Sequence, residues 1–180
     1  MSAAGLDEFR DRYWSLAVTA CEWRAMHADP ERMATQVFEA LAADPEQPNL
    51  RLTYRLIDKT VMNAYTEAVG TRSIFDQLRG QKQTVPNEPQ DSDEEAKLRK
   101  AVARLRRRDR DLLQRAYWDE LSESELAEVE GCDLTEVLAR RDRALENYRR
   151  LLARLSPASD PDAASKLLRS IKPGIRTRWE

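Results

Sequence analysis

Apolar residues recur along most of this chain at intervals of three and four, the spacing of helices with one buried face, and strand-type alternation is weak throughout. Leu6, Phe9, Tyr13, Leu16 and Ala20 form the first such stripe. Asp29-Pro30 predicts the start of a second helix, because an aspartate can cap the free N–H groups and proline suits the first turn. Met33, Val37 and Leu41 are its buried face, and Pro45 and Pro48 close it. A third pattern runs from Leu50 to Val69, with Leu52, Leu56, Thr60 and Asn63 on one line and Ile57, Val61, Ala64 and Ala68 beside it, ending at Gly70. A short helix is expected around Ile74, Phe75 and Leu78, making a bundle of three or four helices over residues 1–80.

Residues 81–94 break the periodicity. This stretch is polar, holds Pro86 and Pro89, and reads as a solvated linker between two domains. The pattern resumes with Leu98, Val102 and Leu105, then, after an arginine-rich joint, Leu112, Leu113, Ala116 and Tyr117. The segment from Leu121 onward places Ser122 as an N-cap, Leu126 and Ala127 in a helix of about two turns, a break at Gly131, and a longer arginine-rich helix from about Thr135. Val137 would plug the pair from inside, and Val137, Ala144, Tyr148 and Leu151 form the core stripe. The pattern predicts an all-α chain with a helical bundle over 1–80, a helix-turn-helix domain over 95–155 and a tail over 156–180.

Composition narrows the function. Lys plus Arg total 30 against 32 Asp plus Glu, a net charge of −2, so nucleic-acid binding by bulk charge is excluded and any such role must be local. Residues 1–80 carry 9 basic and 12 acidic side chains, whereas 95–154 carry 15 and 13. The basic excess therefore falls on the helix-turn-helix half. The two cysteines, Cys21 and Cys132, form no C-x-x-C pair, which argues against a disulfide scaffold or zinc site. No basic-then-apolar leader and no bilayer-spanning apolar run is present, so a soluble cytoplasmic protein is expected. With one histidine, His27, and no phosphate-cradling, zincin or nucleophile-elbow motif, neither an enzyme nor a cofactor is expected.

The second half resembles region 4 of sigma-70-type factors, especially the small extracytoplasmic-function (ECF) group. That family runs R-L-P-x-R-x-R-x-x-x-L-x-x-x-E-G-L-S-x-x-E-I-A-x-x-L-G-x-S-x-x-T-V-x-x-R-x-x-R-A-x-x-x-L. Matching positions here include Arg104, Leu105, Arg110, Leu113, Leu121, Ser122, Glu125, Leu126, Ala127, Gly131, Val137, Arg140, Arg143 and Ala144. The first half is similar, more loosely, to region 2. DPERMATQVFEAL sits at the family's polymerase-clamp helix and LTYRLIDKTVMNAY at its −10 helix.

The resemblance implies a sigma factor that brings core RNA polymerase to promoter DNA, with an anti-sigma factor as a further partner. It implies −35 contacts from Thr135, Glu136, Ala139, Arg140 and Arg143, −10 contacts from Tyr54, Arg55, Lys59 and Asn63, and polymerase contacts from Arg32, Thr35, Gln36 and Glu39. The chain departs from the pattern at charged positions. Arg32 and Gln36 replace acids, Asp58 replaces an arginine, Glu136 a threonine, and Asp142 a histidine-like residue. These reversals support an alternative, a sigma-like interaction protein that regulates transcription through protein contacts without reading promoters. For Arg140 and Arg143 a solvated helix face paired with Glu136 and Glu146 is the competing assignment.

Overall fold

The computed structural model describes residues 3–24, 28–44, 46–70, 93–155 and 168. Among these are seven helices and no strand: α1 (Ala3–Arg24), α2 (Pro30–Ala43), α3 (Leu50–Gly70), α4 (Asp93–Ala103), α5 (Arg107–Tyr117), α6 (Glu123–Glu130) and α7 (Leu134–Leu155). The chain divides into two compact units, Met1–Gln90 and Asp91–Glu180. The all-α expectation holds among the described residues. Helix α4 begins at Asp93, inside the stretch read as linker. The short helix expected around Ile74, Phe75 and Leu78 lies outside the described residues, as do His27 and all of the tail except Leu168.

In unit 1, α1, α2 and α3 contact one another. Asp29 caps α2 as expected, its carboxylate accepting from the Glu31 and Arg32 amides at 3.0 and 3.4 Å. Asn49 does the same for α3, accepting from the Leu52 amide at 2.8 Å, while its carbonyl takes the hydroxyl of buried Thr53 at 2.8 Å. The core is built from Ala17, Ala20 and Cys21 of α1, Ala34, Val37 and Leu41 of α2, and Leu50, Tyr54 and Ile57 of α3. Small side chains on α1 and α2 let those helices approach closely. Phe9 and Trp14 lean on Phe38 from outside this core, with ring centroids 6.5 and 5.7 Å apart.

The expected lines of α3 hold at Leu52 and Ile57, which are buried, and differ from the observed inward face elsewhere. Leu50, Thr53, Tyr54 and Ile57 are buried, whereas Leu56 is half-buried and Asn63 exposed. The polar Thr53 hid this register in the sequence, because its hydroxyl is satisfied by the preceding turn and so can be buried.

In unit 2, α4, α5 and α6 all pack on α7. Val137, Ala144, Leu145, Tyr148 and Leu152 form its buried face, opposed by Leu98 and Val102 of α4, Leu112 and Leu113 of α5, and Leu126 and Val129 of α6. Leu152 and Leu145 thus carry the burial that the sequence pattern assigned to Leu151. The C-terminal segment contributes Leu168, 1% exposed, whose carbonyl accepts from the Trp118 indole at 2.8 Å. Helix α5 starts unusually: its N-cap is Arg106, with no side-chain cap bond, followed by Arg107 and Arg108. Cations at this end oppose the helix dipole by about 0.3–1 kcal/mol each.

Tyr148 is fully buried, and its hydroxyl has no hydrogen-bond partner among the described residues. Burial pushes its phenol well above the ordinary value of 10. Removing the hydroxyl is expected to leave stability unchanged or raise it, by up to about 1 kcal/mol for Tyr148→Phe. Because the folded state holds this proton where the unfolded chain has released it, stability falls as pH rises above about 10. Denaturant melts at about pH 8 and about pH 10.5 should show a loss in the native protein that Tyr148→Phe lessens.

Candidate nucleic-acid interface

The turn between α6 and α7 is fixed at both ends by local chemistry. Ser122 and Glu125 form a reciprocal capping box at the start of α6, the serine amide donating to the Glu125 carboxylate at 3.0 Å and the serine hydroxyl accepting from the Glu125 amide at 3.3 Å. At its end Gly131 takes φ 66° and ψ 38°, the left-handed conformation that suits glycine, and its amide returns to Ala127 at 2.9 Å. Asp133 then opens α7, its carboxylate accepting from the Glu136 amide at 2.7 Å. Val137, completely buried, anchors the first turn. The result is a helix-turn-helix with the start of α7 projecting outward.

A second left-handed residue precedes this motif. Glu120 adopts φ 53°, at the position where the sigma pattern has the glycine of E-G-L-S. A glutamate thus occupies a backbone conformation that suits glycine.

The outward side of α7 gathers the expected −35 set. Thr135, Glu136, Ala139 and Arg143 are exposed and Arg140 is half-buried. Glu136 and Arg140 form an ion pair across one turn, and that carboxylate raises the Arg140 pKa through its hydrogen bond and its charge. Arg143 donates to the Ala139 carbonyl at 3.2 Å, while Arg141 turns back to Glu123 of α6 at 3.0 Å. Arg150 pairs with Glu146 at 3.1 Å. The sequence reading missed Leu134, 47% exposed at the tip of α7. Cys132 lies in the turn, and burial pushes its thiol pKa up against the opposing pull of Arg140.

On unit 1, Arg55, Lys59 and Asn63 are exposed at four-residue steps along one line of α3. Arg51, one step earlier, extends this line and could have been found by that spacing. Tyr54 does not belong with them. It is 1% exposed, with the Arg24 guanidinium 5.5 Å from its ring centroid, so it serves the core and offers no stacking platform. Asp58 is explained by the same contact: its carboxylate lies 3.8 Å from Arg24, which also donates to the Ala20 carbonyl at 2.8 Å. The acid that departs from the family pattern is therefore part of a clamp over Tyr54.

On α2, Arg32, Gln36 and Glu39 are exposed and Thr35 is half-buried, all along one face. Thr35 and Glu39 also border a shallow cleft of about 190 Å³ against Leu6, Asp7 and Arg10 of α1. Among the described residues no group of three or more His, Cys, Asp or Glu side chains could hold a metal ion, and no helix is long and apolar enough to cross a membrane.

The two left-handed positions respond oppositely to substitution. Glu120→Gly is expected to stabilise unit 2 by about 0.5–1 kcal/mol, while Gly131→Ala destabilises it by about 1 kcal/mol, both read from denaturant midpoints. Glu136→Gln breaks an exposed ion pair, and its expected outcome is a stability within about 0.5 kcal/mol of the native protein, read in the same way.

No family model matches the chain, and no curated protein or solved structure matches it.

Proposed function

We propose that the chain is a sigma factor of the ECF type, acting in the bacterial cytoplasm without catalytic residues or a cofactor of its own. The observation that carries this reading is the helix-turn-helix of unit 2. Its capping box, left-handed Gly131 and buried Val137 set α7 so that Thr135, Glu136, Ala139, Arg140 and Arg143 share an outward face. A helix entering the major groove reads bases from its first turns.

Binding exchanges the Glu136–Arg140 pair for DNA contacts. Glu136 can accept from a cytosine N4 amino group, and Arg140 can donate to guanine O6 and N7. Arg143 lies one turn further along, where phosphates border the groove. Arg51, Arg55, Lys59 and Asn63 supply a polar, cationic line in unit 1 for the −10 element, and the Arg32–Glu39 face of α2 docks on core polymerase. Polymerase does the chemistry and this chain selects the site.

A second reading is favoured by one specific feature, the internal pairing of the arginines. Arg140 with Glu136, Arg141 with Glu123, and Arg150 with Glu146 leave less unbalanced charge for phosphates than the arginine count suggests. In that reading the fold works through protein contacts alone.

A pull-down with core RNA polymerase, followed by transcription from a genomic fragment library, separates the two. Promoter-specific transcripts are expected, and Arg140→Ala combined with Arg143→Ala should cut them at least about tenfold. Polymerase binding without transcripts, or transcripts indifferent to that double substitution, would leave the protein-contact reading standing instead.

A further inference from the structure

We propose that Met62 is the base-contacting residue of the α3 line: its exposed thioether packs against an unpaired base of single-stranded DNA whose phosphates lie on Arg51, Arg55 and Lys59. This rests on that line engaging a melted −10 strand, as in the reading above. Among the described residues, Met62 and Leu134 are the large apolar side chains left exposed, at 43% and 47%. Leu134 stands at the tip of α7, whereas Met62 stands among cations. It follows Lys59 by three residues and Arg55 by seven, so the three share one face of α3. Methionines in helices lean toward the N-terminus, which carries the Met62 thioether over the turn that holds Lys59.

The charges on this face are available to a strand. Among the described residues Arg51, Arg55 and Lys59 form no ion pair, whereas Arg140, Arg141 and Arg150 of α7 each hold a carboxylate. Asp58, beside the line, lies 3.8 Å from Arg24, which offsets its charge. Glu67, five residues past Met62, falls on another side of the helix. The line thus presents a row of uncompensated cations followed by an apolar side chain.

That combination suits an unpaired strand better than a duplex. A duplex hides its base faces in the stack, so an apolar side chain beside a row of phosphate-tracking cations gains little from it. An unpaired strand offers a base face at each nucleotide, and strand-binding surfaces combine a cationic track with side chains that receive bases. Tyr54, which the family pattern offers for this task, is 1% exposed and serves the core. Methionine can take its place, because the polarisable sulfur makes favourable contacts with aromatic groups and methionine is among the side chains that proteins insert between bases. Thr66, one turn further on, ties its hydroxyl to the Met62 carbonyl at 2.9 Å and brings no charge that would repel the strand.

The test is a titration of the full chain with a mixed-sequence single-stranded DNA oligonucleotide, an abasic strand of equal length, and the corresponding duplex. Met62→Ala should weaken binding to the oligonucleotide about two- to tenfold. The same variant should leave the abasic strand, the duplex, the salt slope and the melting midpoint unchanged. Lys59→Gln, by contrast, should weaken both single strands alike and lower the log–log salt slope by about 0.7. No loss in Met62→Ala, or an equal loss on the abasic strand, overturns the proposal. If Lys59→Gln lowers the slope while Met62→Ala is silent, this inference alone fails and α3 still holds the strand through its phosphates. If both substitutions are silent, or the native chain binds neither single strand, the −10 reading of α3 falls together with the proposal.

Discussion

The buried face of α7 is the constraint on which unit 2 depends. Three other helices pack on that one helix, and Val137, Ala144, Leu145, Tyr148 and Leu152 are almost wholly removed from water. Burying each large apolar side chain among them stabilises by about 1.5–3 kcal/mol, so rotating α7 by even one residue position would expose most of that surface. With its rotation fixed, the residues that face outward are fixed as well. Glu136, Ala139, Arg140 and Arg143 owe their shared orientation to the core side chains behind them, and the turn at Gly131 decides how far the helix tip stands clear.

Unit 1 shows the same dependence, with a different result. The register of α3 buries Tyr54, and the Arg24 guanidinium lies over that ring while reaching both Asp58 and the Ala20 carbonyl. One guanidinium thus links two helices through a cation–π contact, a hydrogen bond and an ion pair. Asp58, read from the family pattern as a lost DNA contact, balances the charge of this clamp. A departure from a pattern at a charged position can therefore be a packing solution without being a change of partner.

Helix starts and stops were the most legible features. Asp29-Pro30, Ser122 with Glu125, and Gly131 each act through hydrogen bonds confined to a few neighbours, and each performs its expected part in the structure. Apolar stripes were legible where burial follows side-chain type, as in Met33, Val37 and Leu41. They misled on α3, where Thr53 is buried, and near the end of α7, where two adjacent leucines compete for one inward position. The outward face of α7 followed from its core stripe. The Glu136–Arg140 pair on that face agrees with the competing solvated-face assignment, whereas Arg141 found its partner in another helix, which spacing along α7 could not show.

The contact between Trp118 and Leu168 bears on where the second folding unit ends. The helix-turn-helix and its supporting helices are complete by residue 155, yet the Trp118 indole finds its acceptor 50 positions further along the chain, beneath a leucine almost entirely shielded from solvent. A boundary drawn at the end of α7 would strip an N–H of its carbonyl and open an apolar site in one stroke. The cooperative unit accordingly includes Leu168, which shares in the melting of the domain that it closes.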